Sequence, residues 1–430
     1  MASEHSSPNV LLVVLDSVRA SSTSLHDPEL TTTPTLASLA ESATVFEQAR
    51  APASWSLPSH TSMFTGVPAH EHGVNAVKDS LEPGNTVFEE LSEAGYQTGV
   101  FSNLPWLVKT DNGLKSAFDH VGGKDNVLFP SAMDPNTFVL EHGTGQFSDY
   151  LEACLRSGRP VRSLLNGVAL KANSDFGILP GLSNDHPTDQ PVIDRFDAWQ
   201  SSVDDAPWAA CINLLDAHTP FAPVERTEAT DEDVELATDI GDYVWDFYSE
   251  RLPWSQLEQM ERLYRDSIRQ VDALVDNLAH LLKRRGELEN TLLIITGDHG
   301  EAFGEESEVV PDCPVASHGR FTHEELLHVP LLVKAPGQRV GRRESSLTSL
   351  DAIPDAVHAA REGTSVDEAL TSGRIETAFV RWSDRQFADV DDLDTELLGE
   401  LETPAHVVYI DEVPASVVVE AEGRTPIGEC

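Results

Sequence analysis

The chain has 430 residues, 40% of them hydrophobic, with 72 Asp and Glu against 29 Lys and Arg and a formal net charge of −43. That length holds one large α/β domain with an appendage, or two to three average domains at roughly 100–200 residues each. Acids spread over the whole sequence argue against nucleic acid as the main partner, because phosphate backbones are met by basic patches.

In chain order, Met1–Pro8 is polar and lacks a signal-peptide pattern, and no apolar run approaches the roughly 18–20 residues of a membrane span. A cytoplasmic protein is therefore expected. Cys154, Cys211, Cys313 and Cys430 have no metal-type spacing and read as free thiols. The acidity fits a halophilic cytoplasm, where screening weakens repulsion between like charges. No sequence pattern addresses oligomeric state.

Asn9 to Leu15 is a continuous aliphatic run, as in a strand buried on both faces of a parallel sheet, and it ends at Asp16. Pro34 opens a helical pattern through Leu36, Leu39, Ala40, Ala43 and Phe46. Ser56 stands two residues before Pro58 at the start of a short helical run. A helix N-terminus there favours an oxyanion or a serine alkoxide, although Ser56 or Ser59 could simply cap the helix. Phe88 to Ala94 reads as a helix closed by Gly95, and Tyr96 to Ser102 as the next strand. This βαβ rhythm predicts a parallel sheet with helical cover.

Residues 103–205 carry little periodicity and read as an insertion with short helices, partly over the active face. Pro207 to Leu215 is a second buried strand and ends at Asp216-Ala-His218; residues 224–242 form an acidic loop or lid. From Trp254 to Arg285, apolar residues at steps of three and four predict one long amphipathic helix stopped by Gly286. Thr291 to Thr296 is a third buried strand, ending at Gly297-Asp298-His299-Gly300-Glu301, and Val329 to Val333 is a fourth. A helix near Ala352–Arg361 and strands near Thr377–Trp382, His406–Ile410 and Ala415–Val419 make up a small C-terminal α+β region. The expected division is 1–345 and 346–430.

Parallel α/β sheets bind ligands outside the carboxyl ends of their strands. Asp16, Asp216 with His218, and Asp298 with His299 all end buried strands, which points to a metal site. The small residues flanking Asp298-His299 let backbone approach a bound ion or substrate. His318 and Arg320 precede a strand and can face the same crevice, whereas at least one of His323 and His328 is structural. Among His60, His70 and His72, only His60 is a candidate catalytic residue, because it lies so near Ser56 in sequence.

Asp16-Ser-Val-Arg19, Thr33-Pro-Thr-Leu36, Ser54-Trp-Ser-Leu-Pro-Ser-His60, Phe64-Thr-Gly66, His218-Thr-Pro-Phe221, Thr296-Gly-Asp-His-Gly-Glu301 and His318-Gly319 resemble, in order, the sulfatase family of the alkaline phosphatase superfamily. The resemblance implies an alkaline phosphatase-like fold and a metal-dependent hydrolase or transferase of sulfate, phosphate or phosphonate esters. It implies one divalent ion (Mn, Zn, Mg or Ca) on Asp16, Asp298 and His299. Ser56 would be both nucleophile and ligand, with His218 and His318 contacting the ester or protonating the leaving oxygen. The substrate would be a small-molecule or glycan sulfate or phosphate ester. Typical members carry Cys/Ser-x-Pro-Ser-Arg with the first residue converted to formylglycine; here His60 replaces the arginine. Ser17 replaces a second Asp, and Gly95 to Leu104 lacks the usual lysine. The reduced set resembles branches with an unmodified nucleophile, such as phosphoglycerol and phosphoethanolamine transferases. A true sulfatase with modified Ser56, and a non-catalytic anion-binding member, are the alternatives.

Overall fold

The computed structural model describes residues 7–379, apart from 77–78, 125–126, 130, 143–145, 177–187, 204–205, 235–246, 248–250, 307–313, 320–321 and 373–374, together with 406–410. Its strands are β1 (Asn9–Leu15), β2 (Thr44–Arg50), β3 (Gln97–Phe101), β4 (His120–Gly122), β5 (Trp208–Leu214), β6 (Thr291–Thr296), β7 (Ala302–Glu306), β8 (Pro314–Ser317), β9 (Leu331–Lys334), β10 (Arg342–Ser349), β11 (Ile375–Phe379) and β12 (His406–Ile410). The helices used below are α1 (Pro34–Leu39), α2 (Ser56–Thr65), α3 (Val87–Glu93), α4 (Pro105–Val108), α5 (Pro135–His142), α6 (Phe147–Arg156), α7 (Pro160–Phe176), α8 (Gln190–Gln200), α9 (Leu257–Arg285), α10 (Glu324–Leu327), α11 (Ile353–Glu362) and α12 (Val366–Leu370).

Among the described residues, eight strands form one sheet in the order β10-β2-β9-β6-β1-β5-β3-β4. Only β9 runs antiparallel to its neighbours, so the sheet is mostly parallel as expected. Two two-stranded sheets, β7–β8 and β11–β12, stand beside it.

β1 is central and pairs with β5 and β6. Its unbroken aliphatic run is explained by burial on both faces. Leu11, Val13 and Leu15 join Leu263, Ile268 and Val271 of α9 in one core. Val10, Leu12 and Val14 join Leu57, Met63 and Phe64 of α2 and Ile353 and Val357 of α11 in the other. Each fully buried aliphatic side chain contributes about 1.5–3 kcal/mol. That is how α2 and α9 are held firmly against the ends of β1 and β6.

Several boundaries differ from the sequence reading. The helix expected through Phe46 stops at Leu39, and Thr44–Arg50 is a strand. Its Ala43 and Phe46 positions satisfy helical spacing, but both are buried as β2 inserts between β9 and β10. Residues 103–205 do not form a separate insertion throughout: β4 extends the main sheet, and Val192, Ile193 and Phe196 of α8 belong to its core. The long helix matches its expectation, with Gly286 at φ 71° ending it. The described part of the acidic stretch is tied down, because the Thr227, Glu228 and Ala229 amides donate to buried Asp266 of α9.

β10 spans Arg342–Ser349 and pairs with β2, so a boundary at 345 falls within a strand of the main sheet. Leu350, Ile353, Ala356 and Leu370 extend the core that holds α2. Ala415–Val419, Cys313 and Cys430 lie outside the described residues, while Cys154 and Cys211 are free and buried.

Candidate active site

Three structural ends converge: the turn after β1, the first turn of α2, and the turn after β6. Asp16, Asp298 and His299 offer ligand atoms within 4.8 Å of one another, and all three side chains are buried. Gly297 and Gly300 permit the close turn. A Cβ on Gly297 would lie 2.4 Å from the Val18 carbonyl oxygen, and one on Gly300 would lie 2.0 Å from that of Glu325. The sequence reading gave these small residues to a ligand; the structure shows backbone occupying that space.

Hydrogen bonds fix each of these side chains. The Ser17 and His299 amides donate to Asp298 Oδ1 at 3.1 and 3.0 Å. Asn213 Nδ2 donates to Asp16 Oδ2 at 3.2 Å. Ser17 sits at φ 63°, an uncommon conformation for a residue with a Cβ. Tyr264 of α9 braces this turn: its hydroxyl accepts from the Arg19 amide at 2.9 Å and donates to the Ser17 carbonyl at 2.8 Å.

Asp298 Oδ2 is buried without a hydrogen-bond partner. Burial opposes ionisation of this carboxyl, yet His299, His60, the Ser17 amide and the nearby Ser56 hydroxyl together hold it below the usual carboxylate range. His299 Nδ1 donates to the Gly300 carbonyl at 2.9 Å, so Nε2 is the ring nitrogen that faces the site. Nε2 lies 3.7 Å from Asp16 Oδ1 and 3.6 Å from Asp298 Oδ2. These separations are too long for hydrogen bonds and suit atoms that share a cation.

Ser56 Oγ lies 3.2 Å from His299 Nε2. Helix α2 begins at Ser56 itself, two residues before the position expected from Pro58. Trp55 is the N-cap and makes no side-chain cap, so Ser56 does not cap the helix. Ser59 Oγ instead donates to the Asp298 carbonyl at 2.6 Å, tying α2 to the ligand turn. His60 Nδ1 donates to the Ser56 carbonyl at 2.8 Å and lies 3.6 Å from Asp298 Oδ2.

Half-buried imidazoles rim the crevice. His318 stands 4.5 Å from the His299 ring and 5.1 Å from His218, measured between centroids. His318 Nδ1 donates at 2.8 Å to Glu301, which is fully buried, and His218 Nδ1 donates to the Thr219 carbonyl at 2.6 Å. Both rings therefore present Nε2 as the nitrogen able to meet a ligand.

Asp216 ends its strand outside this group. It accepts from the Asp189 amide and Gln270, and burial followed by the Asp189 charge pushes it up to about 6. His328 donates to the Glu47 carbonyl away from the site, as a structural histidine. Arg320 lies outside the described residues.

Three residues of the site went unassigned in the sequence reading. Asn213 was detectable as a polar residue inside an aliphatic strand, and Glu301 as an acid directly after His299-Gly300. Tyr264 gave no signal, because it sits within the apolar stripe of α9.

The Sulfatase family model matches residues 8–361. The chain belongs to the sulfatase family. It is 22% identical over 354 residues to an arylsulfatase of Clostridium perfringens, covering 77% of this chain and 69% of that protein. It is 22% identical over 399 residues to an N-acetylglucosamine-6-O-sulfatase of Bacteroides thetaiotaomicron, covering 80% and 66%. The phosphonate monoester hydrolase of Agrobacterium radiobacter shares the fold, with a TM-score of 0.59 and 18% identity over 94% of this chain and 86% of that chain. This sulfatase-family protein thus has the alkaline phosphatase-like architecture, and its family and arylsulfatase relative support an ester hydrolase. Family members bind a divalent metal, and the Asp16, Asp298 and His299 group could hold one. Among the described residues, no helix is long and apolar enough to cross a membrane.

Proposed function

We propose that this sulfatase-family protein is a metal-dependent hydrolase of sulfate or phosphate/phosphonate monoesters in which unmodified Ser56 is the nucleophile. The observation that carries the proposal is the placement of Ser56 Oγ, 3.2 Å from His299 Nε2, beside the Asp16, Asp298 and His299 group. The buried Asp298 Oδ2 and the inward-facing His299 Nε2, with Ser56 Oγ beside it, fit a cation held by Asp16, Ser56, Asp298 and His299. Oxygen ligands with one imidazole suit Mn, Zn, Mg or Ca, and such an ion would supply positive charge for a serine alkoxide and for the non-bridging oxygens of the ester.

The chain's own residues do the rest. The first turn of α2 presents backbone N–H groups near Ser56 and favours negative charge there. Ser56 Oγ, its proton lost to solvent, attacks phosphorus or sulfur as the bond to the leaving oxygen breaks. His318 or His218 gives an Nε2 proton to that oxygen, a role that contributes about 10²–10⁴-fold. The same imidazole then takes a proton from the water that releases Ser56. Glu301 fixes the His318 ring for this exchange. His60 acts as a positioning residue, holding the Ser56 carbonyl and facing Asp298.

A further solved structure that shares the fold, with a TM-score of 0.57 and 14% identity, is described as a complex with its substrate D-glucosamine-2-N,6-O-disulfate, which keeps glycan esters among the candidate substrates. The test pairs the mass of the Ser56 peptide with rates on nitrophenyl phosphate, phenylphosphonate and sulfate. An intact serine and divalent-metal-dependent release of nitrophenol are expected. A peptide about 2 Da lighter, from loss of two hydrogens, would replace this reading with a formylglycine sulfatase. No release from any ester with Mn, Zn, Mg or Ca present would leave an anion-binding protein.

A further inference from the structure

Large exposed apolar side chains concentrate in one region of this acidic protein. Phe147, Leu151 and Leu155 of α6 and Val161, Leu165 and Val168 of α7 are all exposed, Phe147 by 70% and Val161 by 69%. They recur at steps of three and four, so each set lies along one side of its helix.

Helix α7 is turned apolar side out. Its buried side carries polar groups: Asn166 Nδ2 donates to the Phe129 and Met133 carbonyls at 3.1 and 3.0 Å, and the Ser163 hydroxyl accepts from the Met133 amide at 3.3 Å. The opposite side carries Val161, Leu165 and Val168. At about 100° per residue, Arg162 and Lys171 fall roughly a quarter-turn to either side of that stripe. Helices α6 and α7 form one packed unit, with the Tyr150 hydroxyl donating to the Ser163 carbonyl at 2.7 Å. A Cβ on Gly167 would lie 2.5 Å from the Tyr150 ring, so the close approach depends on that glycine.

Charge points to the occupant. From Phe147 to Phe176, Arg156, Arg159, Arg162 and Lys171 outnumber Asp149, Glu152 and Asp175, in a chain whose net charge is −43. The three arginines gather at the turn between the helices and are exposed. Arg156 pairs with Glu152, Arg159 reaches Ser131, and Arg162 lies over the Phe129 ring at 5.6 Å. Exposed pairs of this kind are weak and yield readily to stronger partners. An apolar stripe flanked by cations matches a helix that lies in a membrane interface, with long basic side chains reaching the headgroups. A two-fold contact with a second copy would repeat the arginine corner on both sides and gather like charge.

We infer that the α6–α7 pair is an interfacial docking element for an anionic lipid surface. It holds the enzyme at such a surface through the exposed apolar stripe and its flanking cations.

The test uses the full chain at the lowest salt that keeps it folded. Sedimentation is measured with vesicles of phosphatidylcholine alone and of phosphatidylcholine with about one-third phosphatidylglycerol. Co-sedimentation with the anionic vesicles is expected, falling as salt rises. Leu151→Asp with Leu165→Asp, and separately Arg159→Glu with Arg162→Glu, should each lower partitioning about tenfold or more. Turnover of a soluble nitrophenyl ester and the circular dichroism spectrum should stay unchanged, since these side chains are exposed and lie outside the site. Binding is read without turnover, so its outcome is independent of the Ser56 assignment. Absence of sedimentation with anionic vesicles, or indifference to both variants, would overturn the inference. A dimer in light scattering that Leu165→Asp dissociates, without vesicle binding, would overturn it in favour of a second copy.

Discussion

Tyr264→Phe removes one oxygen atom and tests whether α9 builds the ligand turn. The Tyr264 hydroxyl is buried and makes two bonds, one from the Arg19 amide at 2.9 Å and one to the Ser17 carbonyl at 2.8 Å. The phenylalanine ring fills nearly the same space, so the packing against Phe221 and Phe303 is retained. What is lost is the pairing of one buried donor and one buried acceptor, at about 1–3 kcal/mol each. The loss falls on a strained point, because Ser17 holds φ 63° while its amide binds Asp298 Oδ1. Partial relaxation of the turn brings the expected loss of stability to about 2–4 kcal/mol. The same relaxation spreads Asp16 from Asp298, so divalent-metal affinity should fall about 10–100-fold, as for other groups that orient metal ligands. Urea unfolding in molar salt gives the first quantity, and Mn²⁺ titration calorimetry gives the second. A stability change below about 0.5 kcal/mol together with unchanged Mn²⁺ affinity would refute the bracing role.

Other predictions follow from separate parts of the molecule. Asp298→Asn removes the buried, unpartnered Oδ2 charge, and emission spectroscopy of the purified protein should show metal content falling at least about tenfold. Retention of stoichiometric metal would remove Asp298 from the ligand set. His26 and His328 meet edge to ring at 5.1 Å, and burial, then the nearby Arg343 and Arg50 charges, lower them to about 4 and about 3. The unfolded chain takes up their protons near pH 6.5 while the folded one refuses them, so their stabilising contribution is present above that pH and is lost as pH falls toward 4. Asp216 and Asp272, raised to about 6 by burial, act in the opposite direction, so the readout is the difference between wild type and His328→Gln. Urea midpoints at pH 8, 6.5 and 5 should fall less steeply in the variant, and parallel curves would reject the claim. The net charge of −43 predicts unfolding when salt is withdrawn; equal melting temperatures at low and molar salt would contradict a halophilic adaptation.

The site was legible where burial and chemistry coincide in sequence. β1 and β6 are aliphatic because both faces are covered, and Asp16 and Asp298 follow where the strand leaves the core. The long stripe of α9 was equally clear, since one core holds Leu257 through Leu282. Edge strands were harder to see. β10 reads Arg-Arg-Glu-Ser-Ser-Leu-Thr-Ser, and its outer positions face solvent, so no aliphatic pattern marks it. β4 has three residues and two are exposed. β2 was hidden because Leu36, Leu39, Ala43 and Phe46 satisfy helical spacing across a real change of structure at Leu39. Partners that act through backbone, such as Tyr264 on the Ser17 turn, leave no spacing signature at all. Their evidence is the hydrogen bond itself.

The most direct test of the central claim is the turnover of Ser56→Ala on a nitrophenyl ester, measured alongside its bound metal. Asp16, Asp298 and His299 are each held by hydrogen bonds that do not involve the Ser56 hydroxyl, so the variant should fold and still bind the ion, if more weakly. Its turnover should fall by at least about 10³-fold, the loss of a nucleophile rather than of a binding contact. Full turnover in a folded, metal-bound Ser56→Ala protein would contradict the account.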